Sequence, residues 1–202
     1  KVPTDSPEIE TLRGEIVALN AQLQRQENSA ELNSFRKRYS LENAVLAKIF
    51  ARNLDSASEI LVDAGSRHGA REGMVAIYKF QIVGQVIEVH DESCKIMLIT
   101  SPSSSASAYV ASGGHNGIVQ GRGPKGAPEF KHFNEQIPLN KGDLILSSGQ
   151  GTVFPEGFCL GKITADRAPG SDEPVFLEPL APFDKIKFCH LVDREKLGTA
   201  AD

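Results

Sequence analysis

Glycine and proline divide this 202-residue chain into two regimes. No glycine lies between Gly14 and Gly65, and no proline between Pro7 and Pro102. Of the 18 glycines, only Gly14 precedes Gly65. Both residue types interrupt regular helix, and both mark turns. The front of the chain therefore reads as one long helix, and the rest as short strands joined by turns.

The expected helix has a start signal. Ser6 suits an N-cap, Pro7 the first helical position, and Glu8 and Glu10 the positive first turn. Apolar residues then recur at Ile9, Leu12, Ile16, Leu19 and Leu23, the three- and four-residue steps of an a/d seam. Continued strictly, the seam meets Gln26, Ala30, Asn33 and Lys37 and fades. A second stripe, Leu32, Phe35, Tyr39, Leu46 and Ile49, stands one residue out of phase. The pattern predicts a coiled-coil helix over residues 1–50 that continues to about Phe50, roughly 65 Å long. A seam so narrow suits a partner helix, so self-association is expected.

From residue 58 the period changes to two. "SEILVDAG", "GMVAIYKF", "QIVGQVIEVH", "SCKIMLIT", "SASAYVAS" and "HNGIVQG" precede a break, "QGRGPKGAPEF". "PEFKHF", "GDLILSSG", "GFCLGKITAD", "PVFLEPLA" and "DKIKFCHLV" follow it. In the last, Ile186, Phe188 and Val192 alternate with Lys185, Lys187 and Asp193, as in a half-buried strand. Short strands with frequent turn signals predict antiparallel barrels or sandwiches. The expected architecture is mainly β: a first small barrel over 51–122, a second over 123–197, and a disordered tail at 198–202. A strand near 47–52 is expected to be able to join the second barrel. Chymotrypsin-like enzymes share this barrel pair, so the question of catalysis arises at once.

Composition narrows the chemistry. The formal net charge is -4, with 40% hydrophobic and 24% charged residues. That balance lacks the basic surplus of a nucleic-acid binder. The triplet Arg36-Lys37-Arg38 sits among acidic neighbours and reads as a solvated face. No apolar run is long enough to span a bilayer, and no signal peptide is visible. The chain begins at Lys1 and not at methionine, which leaves room for an upstream anchor. Cys94, Cys159 and Cys189 include no C-x-x-C pair, and they read as buried small residues; Cys159 and Cys189 could meet as a disulfide in an oxidising compartment. His68, His90, His115, His132 and His190 are scattered without metal-ligand spacing. No metal or cofactor is expected.

Three motifs invite functional readings. Gly121 to Gly126 spells G-x-G-x-x-G, but Pro124 and Pro128 forbid the helix whose N-terminus would face a pyrophosphate. "GFCLGK" ends at Lys162 with Ile163 where a P-loop needs Ser or Thr. His68, Asp91 and Ser147 or Ser148 stand in the chain order of a serine peptidase triad. Their context is wrong: Asp143 is followed by the strand "LILS", and the serines come after it, outside any G-D-S-G-G loop. A chymotrypsin-like peptidase and a periplasmic pump adaptor are the competing readings. The adaptor would need a helical hairpin inserted within its β domains, and none is legible.

The turn glycines carry a resemblance. "ILVDAGSRHGAREGM" places Gly65, Gly69 and Gly73 at four-residue steps. "IVGQVIEVHDESCKIMLITSPSSSASAYV", with Gly84, and "GIVQG" follow; then comes "NKGDLILSSGQGTVFPEGFCLGKI", with Gly142, Gly149, Gly151, Gly157 and Gly161. The order resembles the rod-shape-determining MreC family over about residues 45 to 193. The later block is the specific one, a version of G-D-x-V-x-T-S-G-x-G-G-x-F-P-x-G-x-x-x-G. Ser147 stands for the usual Thr, Gln150 and Thr152 vary the glycine pair, and "SPSS" replaces D-P-N-S; the stretch "PKGAPEFKHFNEQIPL" has no counterpart. The resemblance implies a non-catalytic periplasmic scaffold for cell-wall elongation and rod shape, held to the bacterial inner membrane by a helix upstream of Lys1. It implies an elongation-specific penicillin-binding transpeptidase, MreD, RodA and MreB as partners, and dimers or filaments. It names no partner-binding residues in this chain.

Overall fold

A computed structural model describes residues 44–52, 58–113, 115–123, 126–151 and 153–194. Among these, twelve strands follow in chain order: β1 (Val45–Arg52), β2 (Glu59–Val62), β3 (Val75–Tyr78), β4 (Gln81–Val89), β5 (Cys94–Leu98) and β6 (Ser105–Val110). Then come β7 (Asn116–Gln120), β8 (Glu129–Lys131), β9 (Leu144–Ser147), β10 (Cys159–Ile163), β11 (Val175–Glu178) and β12 (Phe188–Val192). Two three-residue 3-10 turns, Ser66–His68 and Phe183–Lys185, complete the described elements.

Strand lengths follow local chemistry. β-branched residues fill β3 to β5, and two residues, Lys79 and Phe80, turn β3 into β4, with Lys79 at φ 53. Inside β4, Gly84 is required by proximity. A Cβ there would stand 2.0 Å from the Met97 carbonyl oxygen on β5. A side chain at that position would push apart two strands paired over Gly84↔Leu98 to Val89↔Cys94.

All twelve strands belong to one hydrogen-bonded sheet, in the order β11-β8-β7-β6-β9-β10-β4-β3-β12-β1-β2-β5. An added β10–β11 pairing closes β6, β9, β10, β11, β8 and β7 into a six-stranded barrel. The other end of the sheet curls back through a β4–β5 pairing. The halves meet at a parallel contact, Cys159↔Gln81 between β10 and β4, where the Cys159 N–H donates to the Phe80 carbonyl at 2.9 Å.

Two apolar cores result, and one wall serves both. In β3, Val75 and Ile77 enter the core of the closed barrel, while Ala76 enters the other. In β12, Cys189 and Leu191 face one core and Val192 the other. β4 divides likewise, with Ile82 on one side and Val83 and Val86 on the other.

These findings correct the sequence reading at three points. Residues 45–52 are strand and not helix, so no helix reaches Phe50; the rest of the expected coiled-coil segment, 1–43, lies outside the described residues. Two barrels read off in sequence order are replaced by one continuous sheet holding one closed six-stranded barrel. β6 and β7, placed before the expected break, pair with β9 and β8 beyond it, and β12 returns to β1 and β3. The strand near 47–52 pairs with β12 and β2. Finally, β12 is buried on both faces from Cys189 to Val192, because it lies in the shared wall and not at a surface.

The junction is held by a buried amide. The Gln81 side chain, 2% exposed, donates to the Ala181 carbonyl at 3.3 Å and accepts from the Ala181 N–H at 2.8 Å. Gln81→Leu leaves both backbone groups without that partner. We expect it to lower unfolding stability by about 2 kcal/mol, read as a lower urea midpoint at unchanged slope.

Candidate interaction surface

The residues that could have carried chemistry are committed to structure. Ser147 is fully buried at the end of β9. Its Oγ donates to the Pro155 carbonyl at 2.5 Å and accepts from the Phe158 N–H at 3.1 Å. A hydroxyl so held cannot meet a substrate; it ties the end of β9 to the turn before β10. His68 belongs to a different neighbourhood. Its Nδ1 accepts the Gly65 N–H at 3.1 Å, and its Nε2 lies 3.7 Å from Glu92. Asp91 pairs with Arg67 at 3.4 Å. The three members of the imagined triad thus have separate partners.

The phosphate-loop readings fail on geometry as well. The N–H groups of Gly121, Gly123 and Gly126 donate to the carbonyls of Ser104, Thr100 and Gly123, so they form no anion cradle; Pro124 and Lys125 lie outside the described residues. Lys162 lies on β10 and pairs with Glu178 at 3.3 Å. The buried cation Arg167 donates to the carbonyls of Glu173, Glu135 and Ser171 and lies 4.9 Å from the Phe133 ring. Those carbonyls occupy its donors, so it fastens loops and does not receive an anion.

The turn glycines fall where chain reversals or close approaches occur. Gly69, Gly73, Gly142, Gly149, Gly151 and Gly157 have positive φ between 69 and 140. At Gly65 a Cβ would stand 2.2 Å from the His90 carbonyl oxygen, and Gly161 packs against β11. The seam Ile9, Leu12, Ile16, Leu19 and Leu23 lies outside the described residues. On β9, Ile145 and Ser147 are buried, while Leu144 and Leu146 are only half-buried.

What remains exposed and apolar is concentrated. Of the five large hydrophobic residues exposed among those described, Leu46, Phe50 and Phe188 belong to the paired strands β1 and β12. Leu46 is 55% exposed, Phe50 57% and Phe188 44%, which sets them apart from a core that is nearly dry. Phe188 stands opposite Lys48, so Leu46 is its diagonal neighbour on the outer face, while Phe50 lies where the β1–β2 register shifts between Ile49 and Ala51. Ala47 on the same strand is fully buried, which confirms the alternation. On β2, Leu61 pairs with Ala51 and is half-buried. Further along, Lys95 of β5 holds Glu88 of β4 at 2.5 Å; the lysine hydrogen bond and charge lower the Glu88 pKa, and Glu88 raises that of Lys95. The two charges therefore satisfy each other, and on the β1–β12 face Lys48 has Asp63 across from it, whose carboxylate accepts the Lys48 N–H at 2.6 Å. Sequence reasoning missed this surface because it read Leu46 as part of a helical stripe and Phe188 as inward. The available signal was the L-x-K-x-F alternation of Leu46, Lys48 and Phe50, which has strand period.

Comparison with known proteins followed from this fold. The family described as "Rod shape-determining protein MreC, barrel core" matches residues 49–193. A cell shape-determining protein MreC of Cereibacter sphaeroides is 23% identical over 143 residues, 71% of this chain and 46% of that protein. The chain spans less than half the length of the first curated relatives it matches, 46%, 39% and 44%. The crystal structure of MreC from Pseudomonas aeruginosa shares the fold at TM-score 0.68 and 23% identity, covering 74% of this chain and 99% of that one. A chain from a complex between penicillin-binding protein PBP2 and MreC of Helicobacter pylori aligns at TM-score 0.57 and 12% identity, over 73% of this chain and 96% of that one.

The three cysteines are free and buried, and Cys159 and Cys189 are unpaired with each other. Burial pushes the thiols up from 9.0, Cys94 and Cys159 to about 11 and Cys189 to about 12. Unfolded thiols ionise first as pH rises, so this contribution to stability is intact below about pH 9 and is lost as pH climbs through the folded values. We expect the urea midpoint to hold steady from about pH 7 to 8.5 and to fall at about pH 10. Native protein at about pH 8 should react slowly with a thiol reagent, and urea-unfolded protein should react at three sites.

Proposed function

The chain belongs to the MreC family, and from that membership we propose that it is a non-catalytic periplasmic scaffold of the cell-wall elongation machinery. Its role is to hold a penicillin-binding transpeptidase in place and so to maintain cell shape. The observation that carries this reading is the family match across the whole barrel core, residues 49–193. The buried, doubly bonded Ser147 supports the absence of a reaction at the most family-specific block. The Helicobacter complex, in which a family member is bound to PBP2, supports a transpeptidase as the partner. MreD, RodA and MreB are further partners on the same reading, with a membrane anchor upstream of Lys1. Self-association through Ile9, Leu12, Ile16, Leu19 and Leu23 would let one scaffold bridge several synthases.

Pull-down of the periplasmic part of the elongation-specific penicillin-binding transpeptidase from the same organism tests the scaffold. Retention by the chain is expected, and no retention by either bait or prey overturns it. A serine-reactive phosphonate should leave Ser147 and Ser148 unlabelled; a covalent adduct would restore the peptidase reading. For self-association, Leu12→Glu, Ile16→Glu and Leu19→Glu together should convert dimers or larger species to monomers in sedimentation. An unchanged size would remove the seam.

A further inference from the structure

We propose that Asn116 is a self-modification site: its side-chain amide cyclises onto the Gly117 nitrogen, water opens the ring to aspartate or isoaspartate, and the pairing of β6 with β7 gates the reaction. The inference is independent of the scaffold reading, since it rests on backbone chemistry and strand pairing alone.

The fold requires the glycine. A Cβ on Gly117 would stand 2.5 Å from the Phe130 ring and 2.8 Å from the Lys131 carbonyl oxygen, so no side chain fits there. Of the asparagines in the chain, only Asn116 precedes a glycine. With no side chain on the next residue, the backbone nitrogen is unshielded and can reach the amide carbon Cγ. Asn116 is exposed at the start of β7, so water reaches the amide.

Native pairing holds the reaction back. β6 and β7 pair through Ala108↔Gly117 and Tyr109↔Asn116. The Val110 N–H donates to the His115 carbonyl at 3.0 Å, and the Gly121 N–H to the Ser104 carbonyl at 3.1 Å. Hydrogen-bonded pairs alternate along an antiparallel ladder, so these two bonds put Gly117 in a bonded position opposite Ala108. Its N–H is engaged, and the extended backbone of Asn116, with the strand ψ of about +135°, holds that nitrogen away from Cγ. The lock is weak at this place. Pairing with β8 ends at Ile118↔Lys131, and His132 then turns the chain with φ 56. Asn116 and Gly117 therefore have a paired strand on one side only, next to the Val110–His115 pair that closes the hairpin. Such ends open more readily than the body of a sheet.

In the open hairpin, hydroxide takes the Gly117 amide proton, and the nitrogen bonds to Asn116 Cγ. The Cγ–Nδ2 bond breaks, and ammonia leaves with a proton from water. Water then opens the cyclic imide. Cleavage between the nitrogen and Cγ gives aspartate; cleavage at the backbone carbonyl gives isoaspartate. The sum is asparagine and water to aspartate and ammonia, with no oxidant or reductant. Isoaspartate lengthens the backbone by a methylene, so Gly117 no longer meets Ala108 in register and the end of the hairpin stays open.

The test incubates the whole 202-residue chain at mildly alkaline pH, native and urea-unfolded, and follows each asparagine by peptide mapping with isoaspartyl methyltransferase labelling. The native chain should gain aspartate and isoaspartate at residue 116, at least about tenfold more slowly than the unfolded chain. Asn116→Gln should gain neither. Tyr109→Gly removes the cross-strand neighbour of Asn116 and should speed conversion of the native protein. Urea well below the unfolding midpoint should do the same in the unaltered chain, which keeps the test decisive should the variant fail to fold. No conversion at residue 116 in native protein, while the unfolded chain converts, overturns the proposal. So does a native rate equal to the unfolded one, or conversion at Asn140 ahead of Asn116. A native rate that neither Tyr109→Gly nor low urea changes removes the gate and overturns it too.

Discussion

The structure depends on one wall that has to be apolar on both sides. β3 and β12 pair through His190↔Ile77, Leu191↔Ala76 and Val192↔Val75, and their residues alternate between two cores. β4 divides between the same two cores, and Gln81 and His190, each 2% exposed, are the buried polar residues of these three strands. Because the wall is shared, neither half can be removed without exposing apolar surface of the other. That is why the chain forms one sheet although its cores are two. At about 25 cal/mol per Å² of buried apolar area, the side of the wall lost to water would outweigh any single hydrogen bond at the junction.

The second organising feature is the way the late strands are fastened. Ser147 uses one hydroxyl to satisfy groups on both sides of the turn that contains Gly149, Gly151 and Gly157, and Arg194 donates to the Gly149 carbonyl at 3.0 Å. Arg167 does the same for the loops beside β8 and β11 with three carbonyl contacts. The buried polar side chains of Gln81, Ser147 and Arg167 hold loops, with partners supplied by backbone. Such groups give geometric definition to a surface without offering it reactivity, which suits a protein that acts by being bound.

Much of the fold was legible because turns and strands announce themselves locally. The positions of β2 to β11 follow from period-two apolarity and glycine punctuation, and the specific block around residues 142–161 carries the resemblance to the family. Two regions were read wrongly for one physical reason. Leu46 and Ile49 lie three apart, a spacing shared by a helical stripe, and with no glycine or proline nearby nothing signalled the switch to strand. The chain alternates lysine and hydrophobe up to Phe188, where β12 begins, and is then buried throughout from Cys189 to Val192; the lysines at its entrance suggested one wet face. In both cases the deciding contact is the β1–β12 pairing, which joins residues 140 or more positions apart, as in Val45↔Leu191. The exposed apolar patch of Leu46, Phe50 and Phe188 sits on that pairing, so it was hidden with it.

By itself, the sequence determined the local grammar: where the chain must turn, which runs are strands, that Ser147 stands at a glycine corner, and to which family the arrangement is similar. Those properties depend on backbone sterics and on neighbours a few residues away. Only the tertiary structure decided which strands share a wall, that β12 has no wet face, and that Leu46, Phe50 and Phe188 gather around one lysine. These depend on pairings between distant segments, whose free energy comes from burying two surfaces at once and is not fixed by either segment alone.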